Sequence, residues 1–543
     1  MPKKEKREGP SRKKDKKLKR KASKKKDKSV KEFKCRTGGA IIADEEFYRV
    51  REECYEAVQA IIDEGEPYVD EDFPMYDKET ALQSIFGDDP QHDSSLNGIR
   101  TTEWEVKRLT EVNPDGLDLV AFSDGASAHD ITQGGIGTCF YLGALMCIAE
   151  HHKLVNKLLV NHSVELGVYG IMFFANCEWT YVIVDDYFPF QYGKDNYFSK
   201  SKDPSELWVT VFEKAYAKLH GAVDLVDGGH CSWALVDLTG GIPVKIDKNS
   251  WEELHEAVQS DLYCIGCGLD NVEGTDKDET EEGLIPGHVY SVLNTLEYDG
   301  VRLVNVRNPH GGGEWNGAYS DNSDLWTDEL REAANHVNED DGSFWMPYDD
   351  FAYWFCLDPT RIFSKDCTYS KILGESLGQF EEENEFSAYE HLYQEGFFLL
   401  TLESDGDVAF CLTQADPSKK PEYESKRNDL FSVGYSILKF DSEVDHIPTA
   451  YEKGEYEEIH DSGDILDYRD LAHEASNLEP GNYAIIPRFD YAGCEYSMRI
   501  FTNASSYQFE YYYPEEKPEP EEDDEEGGEE EEGADEEEEG DDE

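Results

Sequence analysis

The sequence predicts an α+β chain in which a helical lobe is followed by a strand-rich lobe and then by an antiparallel β-sandwich. Three patterns support this fold class. Apolar residues recur at helical spacing after Cys139, short β-branched runs occupy Val289 to Leu293 and Val301 to Val306, and five short strands separated by turns follow Cys367. With 543 residues, the chain is long enough for roughly two to four domains.

The two ends of the chain are predicted to be disordered, because both lack apolar periodicity. Residues 1–34 form a basic arm with 18 Lys and Arg against 5 acidic residues, and residues 514–543 form an acidic tail with 21 acidic residues. The arm is suited to an anionic membrane, to nucleic acid or to the protein's own acidic surface, and the tail to solvation or to basic partners. Of the net charge of −68, the 479 residues between these ends carry −61, which argues against nucleic-acid binding by the folded part.

Composition and periodicity divide the rest of the chain into four segments, namely an amphipathic helix with its linker (35–67), the helical lobe (68–241), the strand-rich lobe (242–365) and the β-sandwich (366–513). The helix is predicted from Ala43 to Gly65, and its apolar face packs on the core or on an outside partner. The paired glycines Gly240 and Gly241 mark a predicted hinge between the lobes, because glycine permits unusual backbone angles.

The segment Gln133 to Cys139 (QGGIGTC) places a cysteine at the start of a predicted helix, behind a glycine-rich turn. A thiolate at that position is stabilised by the helix dipole, which makes Cys139 a candidate nucleophile. The alternative is a buried and inert core cysteine.

Two further residues would complete a catalytic triad with Cys139. His288 lies 149 residues after Cys139 and precedes one predicted strand. Asn308 lies 20 residues after His288 and follows the next predicted strand. A thiol needs a base to take its proton, and the base needs a third group to hold its ring in the right tautomer. The order cysteine, histidine, asparagine is similar to that of papain-type nucleophiles.

Three blocks resemble the active-site segments of calpain-type cysteine proteases: Gln133 to Leu142, Gly287 to Val292 and Arg307 to Gly311. Further similar blocks occur in family order between Tyr68 and Asp358. The resemblance implies a two-lobed papain-like protease core followed by a C2-like β-sandwich. It also implies an endopeptidase that makes limited cuts in protein substrates. The lack of a long apolar run predicts that the chain is intracellular and cytoplasmic.

Carried over residue by residue, the resemblance makes Cys139 the nucleophile, His288 the general base and then acid, and Asn308 the residue that orients His288. Gln133 would donate its side-chain amide to the oxyanion, beside the backbone N–H of Cys139.

The chain departs from the family pattern close to these residues. Thr138 and Phe140 flank the cysteine where the family has Asp and Trp, and His310 replaces the Trp of an Asn-Pro-Trp-Gly motif. A tryptophan beside the asparagine would shield the histidine–asparagine hydrogen bond from water. The alternative function is therefore a catalytically weak or inactive scaffold that binds cytoskeletal or membrane-associated partners.

Calcium is the cofactor that the resemblance implies, with one site in each lobe. Ser123 and Gly125 would ligate by carbonyl oxygens and Asp130 by its carboxylate in the first lobe, whereas Trp233 occupies the place expected for a remote glutamate. In the second lobe the expected acids are Glu314, Asp321 and Asp341, and Ser343 stands where a further acid is expected. Both sites are incomplete in sequence.

No EF-hand loop follows the predicted sandwich, so no EF-hand small subunit is expected. The 12 cysteines are scattered, which is typical of reduced thiols in an intracellular protein. A charged N-terminus without an apolar run does not fit a secretory signal.

Overall fold

The computed structural model describes residues 45–87, 96, 98–112, 116–123, 125–191, 197–260, 262–270, 272, 274, 278–363, 367–376, 396–415, 430, 432–441, 447–463, 468–489 and 493–512. The predicted basic arm (1–34) and acidic tail (514–543) lie outside these residues. The described part mixes helices and sheets, as the α+β prediction expected.

The amphipathic helix predicted near the start is present as α1 (Glu45–Glu64). Its apolar positions Phe47, Val50, Cys54 and Val58 are buried. Cys54 and Val58 contact Gly170, where an added Cβ would lie 2.8 and 2.6 Å from their side chains. The helix therefore packs on the first lobe rather than presenting this face to an outside partner.

The first lobe has the larger apolar core, which is centred on one completely buried helix. Its helices are α2 (Lys78–Phe86), α3 (Gly98–Thr101), α4 (Cys139–Ala149), α5 (His152–Leu158), α6 (Trp208–His220) and α7 (Cys231–Thr239). Its strands are β1 (Trp104–Arg108), β2 (Ile131–Thr132), β3 (Leu159–Ser163), β4 (Val168–Ala175), β5 (Glu178–Asp185), β6 (Tyr187–Gln191) and β7 (Lys200–Ser201). They pair as β1 with β6, β2 with β7, and β3–β4–β5.

The second lobe is built on a six-stranded sheet. Its strands are β8 (Ile242–Pro243), β9 (Tyr263–Leu269), β10 (Val289–Tyr298), β11 (Val301–Arg307), β12 (Ser343–Pro347) and β13 (Phe355–Arg361), in the order β12-β11-β10-β9-β13-β8. Its helices are α8 (Trp251–Gln259), α9 (Asp328–Ala334) and α10 (Tyr348–Trp354). The antiparallel β10–β11 hairpin pairs Ser291 with Arg307 at its open end, which brings the residues before β10 and after β11 together.

The C-terminal part contains two antiparallel sheets that share one apolar cluster and therefore pack face to face. Its strands are β14 (Thr368–Glu375), β15 (Phe397–Leu402), β16 (Gly406–Gln414), β17 (Val433–Phe440), β18 (Glu457–Asp461), β19 (Asp470–Leu478), β20 (Gly481–Phe489), β21 (Glu495–Thr502) and β22 (Tyr507–Tyr512). One sheet has the order β14-β21-β16-β19 and the other β18-β17-β20-β15-β22, and α11 (Ile447–Glu452) precedes β18. Its likeness to a C2 domain stays a prediction.

The C-terminal part contacts the first two lobes through two arginines. Arg499 on β21 is fully buried and donates to the carbonyl oxygens of Gly240 (2.9 Å) and Gly241 (3.3 Å). Arg469 donates to the Asp237 carboxylate at 2.9 Å. The predicted hinge between the lobes is therefore held by the C-terminal sheets. In the described ranges, no helix has both the length and the apolar character needed to span a membrane.

Candidate active site

Cys139 is the first residue of α4, and all eleven residues of that helix are buried. Thr138 precedes it and makes no capping hydrogen bond, because its hydroxyl is hydrogen-bonded instead to the carboxylate of Glu213. Glu213 also accepts from the backbone N–H of Ser199 at 2.6 Å. The residue that replaces the family's aspartate is thus anchored to a buried acid on α6, directly beside the candidate nucleophile.

The turn before Cys139 is glycine-rich because the neighbouring backbone lies close to it. A Cβ on Gly134 would stand 2.3 Å from the carbonyl oxygen of Tyr197. The backbone N–H of Gly135 donates to that same oxygen at 2.7 Å, and the N–H of Gly137 donates to Asp227 Oδ1 at 2.7 Å. These contacts fix the path of the chain into the helix.

Gln133 begins this turn and is tied to both lobes. Its side-chain Nε2 donates to the carbonyl oxygen of Ile136 at 2.9 Å, which uses one of its two N–H groups. Its backbone N–H donates to the carbonyl oxygen of Pro309 at 2.8 Å. The side chain therefore keeps a second N–H for another acceptor while the backbone links the turn to the Asn308 segment.

His288 and Asn308 meet at the open end of the β10–β11 hairpin. His288 Nε2 lies 2.8 Å from Asn308 Oδ1, and both residues are buried. Asn308 Nδ2 donates to the carbonyl oxygen of Gly313 at 3.0 Å, and the backbone N–H of His310 donates to Asn308 Oδ1 at 3.0 Å. These two contacts determine which way the amide faces, so its oxygen points at the imidazole.

The orientation of Asn308 determines the tautomer of neutral His288. An amide oxygen can only accept, so Nε2 must carry the proton and Nδ1 must hold the lone pair. Nδ1 is buried and has no hydrogen-bond partner within the described residues. It is therefore the nitrogen that can receive a proton from a nearby thiol.

The hairpin that carries His288 packs directly on the helix that carries Cys139. Ser291 Oγ donates to the carbonyl oxygen of Gly143 at 2.8 Å, and a Cβ on Gly143 would lie 3.1 Å from Val289. Gly143 is four residues after Cys139 and thus on the same face of α4. The fold consequently brings the predicted nucleophile and base to the same face of the lobe interface.

His310 lies over the ring of His288, with ring centroids 4.3 Å apart and a tilt of 35°. Burial lowers the pKa of His288 to about 3. The electrostatic effect of His310 lowers this pKa as well, whereas the hydrogen bond to Asn308 acts to raise it. His288 is therefore neutral at pH 7, which is the state that can act as a base.

Replacing His310 by phenylalanine is expected to raise the pKa of His288, because the neighbouring charge is removed while a ring is kept. The folded protein holds His288 neutral down to about pH 3, whereas the unfolded chain binds this proton near pH 6.5. The contribution of this group to stability therefore falls as the pH drops through that window. Thermal unfolding measured between about pH 4 and 7 should show a smaller fall in melting temperature on acidification for His310→Phe than for the wild type.

The matched control for this measurement is His255→Phe, which removes a histidine stacked on Trp251 at a centroid distance of 4.9 Å in the same lobe. This variant should lose stability with acid as the wild type does. If the melting temperature of His310→Phe fell on acidification as much as that of the wild type, the coupling of the two imidazoles would be contradicted.

The loop predicted to form the first calcium site is approached by acids from a segment that the sequence prediction missed. The backbone N–H of Ser123 donates to Glu206 Oε1 at 2.6 Å. Hydrogen bonds with Ser205 are the main cause that lowers the pKa of Asp203, and a hydrogen bond with the Ser123 side chain lowers it further. Trp233, where a remote glutamate was expected, instead accepts from Arg469 through its carbonyl. The acids nearest to Ser123 thus come from residues 203–206.

Asp130 closes the same loop by accepting from the backbone N–H of Ser127 at 2.8 Å. Burial and the negative charge of Glu206 raise the pKa of Asp130 to about 6. Gly125 has a positive φ of 98°, which suits glycine. The half-buried Asp130 and the buried Glu206 of the neighbouring segment therefore repel each other at this loop.

The second predicted calcium site contains three acids that influence one another. Glu314 Oε1 accepts from the backbone N–H groups of Asp341 (3.0 Å) and Gly342 (2.8 Å). Burial raises the pKa of Glu314 to about 7, and the charges of Asp321 and Asp341 raise it further against those two hydrogen bonds. Asp321 Oδ2 is buried and has no hydrogen-bond partner among the described residues. This orphaned oxygen and the mutual repulsion fit a cation.

Histidines nevertheless occupy part of this cluster. His129 Nδ1 lies 3.3 Å from Asp341 Oδ2, and His336 Nε2 lies 3.1 Å from Asp321 Oδ1. Burial acts to raise the pKa of Asp341, but the hydrogen bonds from His129 and Ser343 outweigh it and bring the value to about 2. Across the described ranges, no three acidic, histidine or cysteine side chains are grouped so as to hold a metal ion. The donor chemistry fits calcium, but the ligands are not assembled.

Two residues important for this arrangement carried no prediction from sequence. Glu213 lies in α6 within the continuous buried stretch from Trp208 to Ala217. A charged residue within such a largely apolar stretch is a signal that could have identified it. Arg307 was noted only as part of a motif, although it is buried and contacts the opposite lobe.

Known proteins resemble this chain in sequence. Residues 68–357 match the family described as calpain family cysteine protease. Calpain-type cysteine protease DEK1 of Arabidopsis thaliana is 31% identical over 475 residues, which cover 81% of this chain and 21% of that protein. Calpain-9 of Mus musculus is 27% identical over 412 residues, which cover 70% of this chain and 59% of that protein.

The matched relatives are longer than the matched part. The chain spans about a fifth of the Arabidopsis protein, and 15% of calpain-type cysteine protease ADL1 of Oryza sativa subsp. japonica, to which it is 32% identical over 332 residues. The family match covers more than half of the chain and includes Cys139, His288 and Asn308. This chain therefore belongs to the calpain family of cysteine proteases.

Proposed function

We propose that this chain is a calpain-like cysteine endopeptidase that makes limited cuts in proteins through a Cys139–His288–Asn308 triad. The observation that carries the proposal is the hydrogen bond of 2.8 Å between His288 Nε2 and Asn308 Oδ1. It leaves the lone pair of Nδ1 as a base on a hairpin that packs against the Cys139 helix. Family membership supplies the independent support.

The proposed reaction begins with transfer of the Cys139 proton to His288 Nδ1. The sulfur then attacks the scissile carbonyl carbon, and the resulting oxyanion accepts from the backbone N–H of Cys139 and from Gln133 Nε2. When the C–N bond breaks, His288 returns its proton to the leaving amine, and a thioester remains on Cys139. Water then loses a proton to His288 and attacks the thioester carbonyl carbon. When the C–S bond breaks, the acid product is released, and His288 returns the proton to the sulfur of Cys139.

A thiol-directed epoxide probe tests this proposal on the whole chain. The wild-type protein should be labelled at Cys139 and should cleave an unfolded protein substrate such as casein. The label should be lost in His288→Ala, since the thiol then lacks its base. A wild-type Cys139 that stays unlabelled with either calcium or a chelator present would favour the non-catalytic scaffold instead.

We also propose that calcium regulates the enzyme and that Glu314, Asp321 and Asp341 would hold it in the second lobe. Ser123, Gly125 and Asp130 would form a second site in the first lobe. When bound, the ion would neutralise the carboxylates that repel one another at each site. Asp321 Oδ2 supports this assignment, because a buried carboxylate oxygen without a partner is costly.

Calcium is expected to raise the melting temperature of the protein relative to a chelator, because a ligand that binds only the folded state stabilises it by about 2.7 kcal/mol at 100 times its Kd. The shift should be largely lost in Asp321→Asn. Asp349→Asn removes an exposed acid of the same lobe and should keep the shift. An equal calcium shift in wild type and Asp321→Asn would exclude the second-lobe site.

The partners of this enzyme remain proposals as well. The basic arm and the acidic tail are proposed to recruit cytoskeletal or membrane-surface partners by charge, and the protein is proposed to act in the cytoplasm. No nucleic acid is expected for the folded part, and no EF-hand small subunit is expected. Since the chain spans only part of its relatives, its full activity and substrates are part of this proposal.

A further inference from the structure

Arg307 is the last residue of β11 and lies directly before Asn308. Its side chain is 1% exposed and crosses from the second lobe to the first. Nη1 donates to the carbonyl oxygen of Ile131 at 3.3 Å, and Nη2 donates to the carbonyl oxygen of His129 at 3.2 Å. Nη1 also lies 3.2 Å from Met146 Sδ.

These contacts reach three parts of the active site. Met146 is on α4, the helix that Cys139 begins. Ile131 and His129 lie on the segment that leads to Gln133. Nη1 also contacts the carbonyl oxygen of Asn308 at 3.4 Å, at the bend where the chain leaves β11. One guanidinium thus touches the nucleophile helix, the approach to the oxyanion turn and the residue that orients the base.

Burying this charge is costly, and the cost is not offset by a close ion pair. In the part of the chain that the structure describes, no carboxylate lies within 4.0 Å of Arg307, and Nε has no hydrogen-bond partner. Burial lowers the pKa of Arg307 to about 10, while the attraction of acids such as Asp341 and Asp130 acts to raise it, so the group stays charged at pH 7. Leu303 and Asn305, which share the face of β11 with Arg307, are buried without a charge.

We propose that Arg307 is a positioning residue that holds the His288–Asn308 pair of the second lobe in register with the Cys139 helix and the Gln133 turn of the first. The role rests on the proposed function. It requires a planar fork that donates in two directions at once, since three carbonyl oxygens and a thioether are contacted by two terminal nitrogens. Lysine has a single nitrogen and cannot reproduce that geometry. The backbone bond from Gln133 to Pro309 (2.8 Å) crosses the same interface, so a shift of Arg307 would move both halves of the site.

The test compares Arg307→Lys with Arg499→Lys in the full chain. Arg499 is equally buried and also donates to backbone carbonyls, but it lies where the C-terminal sheets meet the hinge. Arg307→Lys is expected to lower kcat about 100-fold with KM changed by less than about threefold, because a misplacement of about 1 Å costs on that order. Arg499→Lys should lower the melting temperature to a similar degree while kcat is kept.

A second variant covers the case in which Arg307→Lys fails to fold. Met146→Leu conserves the side-chain volume and removes only the sulfur that faces the guanidinium, so it should fold and lower kcat several-fold without a change in melting temperature. The rate at which iodoacetamide labels Cys139 is measured as a function of pH for every variant. In Arg307→Lys and Met146→Leu, the pH dependence of this rate should shift toward that of an isolated thiol.

The outcomes separate the two proposals. A wild-type Cys139 that reacts like free cysteine would overturn the proposed protease and the positioning role with it. A reactive wild type with unchanged kcat and labelling profile in Arg307→Lys, or in Met146→Leu if the first variant does not fold, would overturn the positioning role alone. An equal fall of kcat in Arg499→Lys would also overturn it, since the effect would then follow from any buried lysine.

Discussion

Replacing Cys139 by alanine is expected to lower kcat by about 10⁶-fold, since the loss of a nucleophile in a triad enzyme has this order of effect. The variant should fold normally, because alanine fits the first turn of a helix and only one sulfur is removed from a residue that is 8% exposed. Cleavage of a quenched peptide, together with thermal unfolding, measures both effects on the same sample.

The control for this variant is Cys147→Ala, at the other end of the same helix. Cys147 is also buried, and its thiol contacts the carbonyl oxygen of Ile265 at 3.5 Å. This substitution should reduce stability slightly and keep kcat. If Cys147→Ala abolished cleavage while Cys139→Ala retained it, the assignment of the nucleophile would be wrong.

Replacing Asn308 by alanine is expected to lower kcat by about 10³- to 10⁴-fold, with a smaller effect on KM. The imidazole would lose the oxygen that holds its proton on Nε2, and the wrong tautomer would then present an N–H to the thiol. Loss of the orienting group in related triads has an effect of about this size. Steady-state kinetics in the presence of calcium measure the two constants separately.

A matched buried asparagine is available on the same hairpin. Asn305 donates through Nδ2 to the carbonyl oxygen of Phe344 at 3.0 Å and has no contact with His288 among the described hydrogen bonds. Asn305→Ala should lower the free energy of unfolding by about 1–3 kcal/mol, because a buried carbonyl loses its partner, but it should keep kcat. A comparable fall of kcat in both variants would indicate general damage rather than loss of orientation.

The local elements of the site were accessible from sequence because short-range chemistry specifies them. The apolar spacing after Cys139 predicted a helix that begins at that residue, and α4 does so. The predicted strands beside His288 and Asn308 are present as β10 and β11, and their antiparallel register brings the two side chains to 2.8 Å. Helix α1 is likewise confirmed within one or two residues of the predicted range.

Contacts between distant segments were not accessible in this way. The effect of Thr138 depends on Glu213, which lies 75 residues further along the chain, and the acids near Ser123 come from residues 203–206. His310 was expected to shield the triad less well than tryptophan, and the structure adds that its ring lies over His288. None of these pairs has a periodic signal, because each depends on how helices and loops of different segments pack.

The sequence by itself therefore determined the chemistry that this protein carries: a cysteine at a helix start, a histidine and an asparagine at the ends of two strands, and acidic loops in both lobes. These follow from local spacing and residue type. The tertiary structure alone decided which nitrogen of His288 is the base, which acids approach each loop and how Arg307 joins the lobes. Such properties arise from burial and from contacts between residues far apart in sequence, where desolvation and hydrogen-bond geometry set the energy.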